Sequence, residues 1–329
     1  MLAAITGASG LVGGNLAVAL ANAGHTVRAT KRANSRVKQL EAVPIEWVDA
    51  DLDDRASLAR AFAGADAVFH CAALVSVRKK PTAALIKTNV DGTRNVLDAV
   101  REAGVKRLVH CSTVAAIGLS DDGRPCDETA PWNFAERGMD DGYATTKYQS
   151  QRLVEDAVRA GMDAVIVNPT FMFGPYDARP SSGELIVQIA KRKVPGWSDG
   201  GNNFVDVRDV VRGMILAWEK GRAGERYILG GHNTRYRDIL NTIARIVGVP
   251  PPRWRIPRSL ATIGGWFGDV REWLTDGDPR LNTMTVRYAY SREFQFSSDK
   301  AVRELGYTIS PIEPAITDAV AWLRANGTM

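Results

Sequence analysis

Thr6-Gly7-Ala8-Ser9-Gly10-Leu11-Val12-Gly13 joins a short apolar run at residues 2–5 to an amphipathic stretch at residues 11–23. Glycines at 7, 10 and 13, placed between a strand and a helix, leave no side chain in front of the first N–H groups of that helix. A dinucleotide diphosphate can then lie against them, held by backbone donors and the positive end of the helix dipole. A glycine-rich turn without a ligand is the bland alternative, and the strand–turn–helix context sets it aside.

Outward from this turn, residues 26–30, 45–48, 67–71, 107–112 and 164–167 are short apolar runs that alternate with helical spacing at 56–62, 90–103 and 143–159. Gly24, Gly64, Gly104 and Gly161 stand where those helices should stop. Six strands with intervening helices predict an α/β fold, a Rossmann-type doubly wound parallel sheet. Past Pro169 the regularity breaks at Pro175, Pro180, Pro195, Gly200–Gly201 and the Pro250–Pro252 run. Helical spacing at 185–190, 210–218, 236–247, 260–274 and 316–325 predicts a smaller, mostly helical substrate lobe over the carboxyl ends of the strands. The expected division is a cofactor domain at 1–170 and a lobe at 171–329. A segment near 204–218 is expected to return to the first domain, with residues 204–207 entering the main sheet.

Of 329 residues, 45% are apolar and 24% charged, which excludes a disordered chain. The 42 basic and 37 acidic residues leave a net +5 spread along the chain, so no nucleic-acid partner is expected. Three cysteines without a C-x-x-C pair, and an apolar run beginning at the first residue, predict a cytoplasmic protein without disulfides, metal or leader. His70, Cys71, His110 and Cys111 fall on predicted central strands and read as packed core rather than metal ligands.

Tyr143-Ala144-Thr145-Thr146-Lys147 places a phenol and an ammonium one helical turn apart. The cation should stabilise the phenolate and bring the tyrosine pKa down from about 10 into the range of a general acid/base. This Y-x-x-x-K follows the Ser112-Thr113 pair at the end of the fifth strand. Together with the G-x-x-G-x-x-G spacing, the chain resembles the short-chain dehydrogenase/reductase superfamily. His70-Cys71-Ala72-Ala73, Asn89-Val90-Asp91-Gly92-Thr93, Asp127-Glu128 with Pro131, and residues 204–210 resemble its extended, epimerase/dehydratase branch. The closest likeness is to the dihydroflavonol-reductase-like and 3β-hydroxysteroid-dehydrogenase-like members.

The resemblance implies roles. Tyr143 and Lys147 would be catalytic, with Thr113 as the polarising hydroxyl, Ser112 as its fallback, and Asn89 either anchoring a relay water or capping and packing. Gly7, Ser9, Gly10, Leu11, Val12 and Gly13 would hold the diphosphate, Asp51 and Leu52 the adenine. Ala72, Ala73, Pro169 and Thr170 would border the rest of the cofactor. Relatives using NAD carry an acid after the second strand; here Lys31 and Arg32 follow it, with Arg36 and Lys38 behind. A guanidinium binds a 2′-phosphate that a carboxylate would repel, so NADP(H) is preferred, with NAD(H) as the lesser option. Trp132, Phe134, Phe171, Met172, Phe173 and Trp197 are expected to line an apolar substrate pocket. The helices at 90–103 and 143–159 form the usual dimer face of relatives, which implies a homodimer.

Three functions follow. The first is an NADP(H)-dependent carbonyl reductase or alcohol dehydrogenase acting on a small molecule. The second is a nucleotide-sugar epimerase of the hopanoid-associated type. The third is a non-catalytic dinucleotide sensor. Epimerases of this branch carry an R-Y-F-N segment after the sixth strand, where this chain has Asn168-Pro169-Thr170-Phe171. Dehydratases carry Asp-Glu after the catalytic Thr, where this chain has Val114-Ala115. Finally, the apolar stripe at 260–274 is expected to be buried as a lid over the substrate cleft, with membrane attachment the lesser reading because Asp269 and Glu272 put acid on its polar face.

Overall fold

Apolar runs of four to six residues, too short for helices and bounded by glycines, form strands that helices cover on both faces. A computed structural model describes residues 1–120, 123–178, 180–275 and 281–329. Its first half runs β1 (Leu2–Thr6), α1 (Leu11–Asn22), β2 (Thr26–Lys31), β3 (Ile45–Asp49), α2 (Arg55–Phe62), β4 (Ala67–His70), α3 (Ala83–Leu85), α4 (Gly92–Glu102), β5 (Arg107–Cys111), α5 (Gly142–Arg159) and β6 (Ala164–Pro169). A π-helical turn, Ile86–Asp91, fuses α3 to α4. Gly24, Gly64, Gly104 and Gly161 all take positive φ at the ends of α1, α2, α4 and α5, a conformation only glycine adopts without strain.

The second half runs β7 (Phe171–Phe173), α6 (Gly183–Ala190), β8 (Gly196–Trp197), β9 (Gly201–Asp206), α7 (Val207–Lys220), β10 (Arg226–Leu229), β11 (His232–Arg235), α8 (Tyr236–Val247), β12 (Trp254–Arg255), α9 (Arg258–Leu274), α10 (Thr283–Tyr290), α11 (Asp299–Leu305) and α12 (Ile312–Ala325). The main sheet is parallel throughout, in the order β10-β6-β5-β4-β1-β2-β3. The order reverses between β1 and β4, so the crevice at their carboxyl ends is where a ligand should enter. Helices α1 and α7 cover one face through Leu16, Leu20, Val210 and Met214; α2, α4 and α5 cover the other through Leu58, Val96 and Val154.

Seven strands, not six, make this sheet. The extra one, β10, arrives after a long excursion and pairs with β6 at the edge. It also corrects the expectation for 204–207. That segment ends β9, which pairs with β7 and β11 in a separate three-stranded sheet. The helix behind it, α7, is what packs on the main sheet. The small sheet, with α6, α8 and α12, encloses its own core around Phe173, Phe204, Ile239 and Ile316.

Helix α9 overturns the lid expectation. Its apolar stripe faces outward: Leu260, Ile263, Trp266, Phe267, Trp273 and Leu274 are all exposed, and Gly265 is its one buried residue. The polar and glycine face packs inward instead. Asp269 bonds Lys79 (2.5 Å) and the Thr283 hydroxyl (2.8 Å), and Glu272 accepts from Lys79 N–H (3.0 Å) and Asn282 (3.0 Å). The glycines that weaken the isolated helix let it approach closely, since a Cβ on Gly268 would fall 1.6 Å from the Leu281 carbonyl oxygen.

Candidate active site

The glycine turn is built by the chain against itself at two of its three glycines. Gly7 has φ +79°, and a Cβ there would lie 2.6 Å from Ala72 N; a Cβ on Gly13 would lie 2.4 Å from the Gly7 carbonyl oxygen. Gly10 differs. It is exposed, and a Cβ there would meet only the Gly7 oxygen, at 3.4 Å, so its bareness serves no packing. It caps α1 without a side-chain hydrogen bond, and the first turn holds no acid. Unsatisfied N–H groups therefore face an open approach, with Ser9, Leu11 and Val12 around them, and the cradle fits a dinucleotide diphosphate.

The basic loop after β2 lies beside this cradle. Gln39 donates to the Ser9 carbonyl (3.3 Å) and the Arg36 carbonyl (3.0 Å), tying the two together. Arg32, Arg36 and Lys38 are exposed, Lys31 ends β2, and none of the four forms an ion pair among the described residues. On the other side Asp51 caps its own turn, accepting from Asp53 N–H at 3.1 Å. Leu52 sits against Gly92, whose Cβ would come 3.1 Å from it. Ala72, half-buried, and Ala73, exposed, follow β4.

Across the crevice, Tyr143 stands in the first turn of α5. Asp141 caps that turn, accepting from Ala144 N–H at 2.7 Å. Tyr143 is half-buried, with its phenol beside the side chain of Thr113, which begins the loop after β5. Lys147 is buried one turn on, and its Nζ donates to the Cys111 carbonyl at 2.9 Å. Burial holds the Lys147 pKa below its usual value. Burial also pushes the phenol up, against a smaller downward pull from Thr113. The expected lowering by Lys147 is therefore absent here. The ammonium is spent on a backbone carbonyl, and desolvation governs the phenol.

Ser112 does not join the pair. Its hydroxyl donates to Gln151 (2.7 Å), which also accepts from Asn168 Nδ2 (2.8 Å), and Asn168 reaches the Thr113 carbonyl (2.7 Å). This Ser112–Gln151–Asn168 layer fixes the Thr113 backbone from beneath. No motif announced it, because amides on a helix and a strand carry no spacing signature. Asn89, in the π turn, has its amide fully engaged: it holds Leu74 by both backbone groups (2.8 and 2.9 Å) and donates to Thr146 (3.1 Å). It positions the loop after β4, in line with the packing reading. Thr170 gives its hydroxyl to Asn203 (2.8 Å), with Pro169 buried before it at the end of β6. His70 and His110 are buried with ring centroids 5.3 Å apart. Burial, aided by the Lys147 charge, lowers the His70 pKa to about 3.

The expected pocket wall divides. Trp132 donates to the Ala115 carbonyl (3.0 Å) and stacks on Tyr148 (4.3 Å), which ties it to the loop of Thr113. Phe171 and Met172 are half-buried beside Thr170. Phe134 and Phe173 are fully buried in separate cores and have no face free for a ligand. Trp197 packs in the small lobe under Arg237, 5.2 Å from its ring centre. Those three are packing residues, and the alternation of aromatics could not say which would point inward.

Residues 3–230 match the model of the NAD dependent epimerase/dehydratase family. A Synechocystis sp. protein named for dihydroflavonol 4-reductase is 37% identical over 98% of this chain and 94% of its own length. Sterol demethylase protein B of Methylococcus capsulatus is 36% identical over 99% of each chain. A Stigmatella aurantiaca ketoreductase, named for a farnesyl-bearing dihydroquinoline oxide, is 33% identical over 92% of this chain and 90% of its own. Among solved structures, gox2253 superposes with a TM-score of 0.87 at 36% identity, covering 100% of this chain and 99% of the other. A nucleoside-diphosphate-sugar epimerase from Pseudomonas aeruginosa gives 0.82 at 26% identity, with the same coverage.

Proposed function

This chain belongs to the NAD dependent epimerase/dehydratase family of oxidoreductases, and from that premise we propose that it reduces a ketone or aldehyde on a bulky apolar molecule with NADPH, or runs the reverse oxidation. The observation that carries this reading is the Tyr143 phenol beside the Thr113 side chain at the crevice, with the Lys147 ammonium buried one turn on.

Gly7, Gly10 and Gly13 would hold the diphosphate, and Lys31, Arg32, Arg36 and Lys38 a 2′-phosphate. Asp51 and Leu52 would flank the adenine; Ala72, Ala73, Pro169 and Thr170 would border the remainder. A nicotinamide held there would supply hydride chemistry. The Thr113 hydroxyl donates to the carbonyl oxygen and orients it toward Tyr143. The phenol, kept protonated by burial, gives its proton to that oxygen as the alcohol forms. A proton from water then restores the phenol.

The names of the relatives, a sterol, a farnesylated quinoline oxide and a dihydroflavonol, support a large apolar substrate. Trp132 and Met172 offer it an apolar wall. The epimerase reading has a structural neighbour in its favour, but the place of its diphosphate-binding amide is taken by Phe171, packed on Phe173 and Phe204 at 5.4 and 5.3 Å. The homodimer through α4 and α5 stays part of the proposal. A carbonyl panel with NADPH, followed at the nicotinamide absorbance beside a nucleotide-sugar panel, tests the function. Turnover of sugar nucleotides alone would replace it with epimerisation; turnover of neither, with tight cofactor binding, would leave the sensor.

A further inference from the structure

Helix α9 turns its two acids inward and exposes its apolar side chains. Trp254 is 74% exposed, Phe267 63% and Trp273 84%, with Leu260, Ile263 and Trp266 on the same outward stripe. Scattered apolar residues on a surface need no explanation, but a contiguous stripe of this size does. Asp269 and Glu272 are the only acids in residues 253–275, and both are turned inward onto Lys79, Arg78 and Asn282. Arg253, Arg258 and Arg271 are exposed and have no charged partner among the described residues; Arg255 pairs with Asp199. What this face offers is therefore tryptophan, phenylalanine and leucine, with arginines that have no charged partner among the described residues.

We propose that α9 and the preceding β12 dock the protein onto an anionic lipid bilayer, with the helix lying in the headgroup layer. The complementarity is of two kinds. Apolar side chains enter the acyl boundary, and the arginines meet lipid phosphates. No described helix is long and apolar enough to cross a membrane, so α9 lies on it. A second copy of the chain fits this face less well, because pairing it with itself adds arginine to arginine along the rim.

The placement also joins the surface to the crevice. Arg78 donates to the Glu272 carbonyl at 3.1 Å, and the Arg78 carbonyl accepts from Gly142 N–H at 3.0 Å, next to Tyr143. The docking helix is one loop away from the candidate acid. On the functional reading above, an apolar substrate would pass from the bilayer to the crevice without crossing water; the docking itself does not depend on that reading.

Co-sedimentation with vesicles of equal phosphatidylglycerol and phosphatidylcholine, against pure phosphatidylcholine, tests it. The protein should pellet with the anionic vesicles, less as salt rises, and tryptophan emission should shift to the blue. Trp266→Ser with Phe267→Ser should cut the bound fraction roughly tenfold or more. Arg253→Glu with Arg258→Glu should do so while leaving the apolar face intact. Turnover of a small water-soluble carbonyl should be unchanged in both. Protein that stays in the supernatant at low salt overturns the proposal. So does a dimer on size exclusion that the Ser variant dissolves, since the face would then belong to a second copy. Vesicle binding is read without turnover, so failure of the docking and failure of the reductase assignment are distinct results.

Discussion

The phenol of Tyr143 is held neutral by its surroundings, and this gives the proposed reaction a direction at neutral pH. A raised pKa means that the proton is in place for carbonyl reduction and must be removed before alcohol oxidation can begin. Reduction should therefore be flat across neutral pH, whereas oxidation of the product alcohol should accelerate as pH rises; initial rates in both directions check this. Tyr143→Phe removes only that proton. Turnover should fall by about 10²–10⁴-fold, with NADPH binding near wild type by fluorescence titration. At the other end of the cofactor site, the Arg32 side chain has no ion-pair partner among the described residues. Arg32→Ala should weaken NADPH binding roughly ten- to a hundredfold, the range of a charge-assisted hydrogen bond, and leave NADH nearly unchanged. Equal losses for both would make Arg32 structural. Tyr143 and Lys147 stand out in the sequence because their motif has fixed spacing, whereas Thr113 enters only through the family resemblance. The protonation state is not legible there, because burial is a property of the packed site.

Helices show where periodicity informs and where it is silent. The boundaries of α1, α4 and α5 follow from apolar spacing and terminal glycines, and the helices lie within a few residues of expectation. The stripe on α9 was equally plain, yet its direction was inverted, since spacing says that a face exists and not what it meets. Only the close approach at Gly268 and the inward salt bridges decide it. Gly268→Ala should cost about 1–3 kcal/mol of local packing, seen as faster proteolysis near α9 with the main thermal transition unchanged. The cap of α5 offers a pH test. Burial, opposed by hydrogen bonds from Ala144 and Tyr288, raises the Asp141 pKa to about 6. A raised carboxyl stabilises the fold below its usual pKa, and that contribution is lost as pH rises through the folded value. Relative to Asp141→Asn, whose amide can still accept from Ala144, wild type should lose roughly 3 kcal/mol between about pH 4 and pH 7. Denaturant midpoints of both proteins across that range measure it.

In the whole molecule, the junction between the two sheets rests on Asn203. Its side chain is fully buried, accepting from Thr170 (2.8 Å) and Gly231 N–H (2.7 Å) and donating to Asn233 (2.8 Å). Asn203→Ala would leave those groups unsatisfied, so stability should fall by roughly 2–4 kcal/mol, read as a lower denaturant midpoint with unchanged slope. Neither this junction nor the return of β10 to the sheet edge could be read from the chain. Both join residues far apart in sequence. The glycine turn has a different consequence for association. Because Gly7 and Gly13 are already closed against Ala72 and each other, the dinucleotide meets a rigid receptor. Its binding need not repay the conformational entropy of ordering a loop. The heat-capacity change of binding should match the buried surface alone, with no folding contribution.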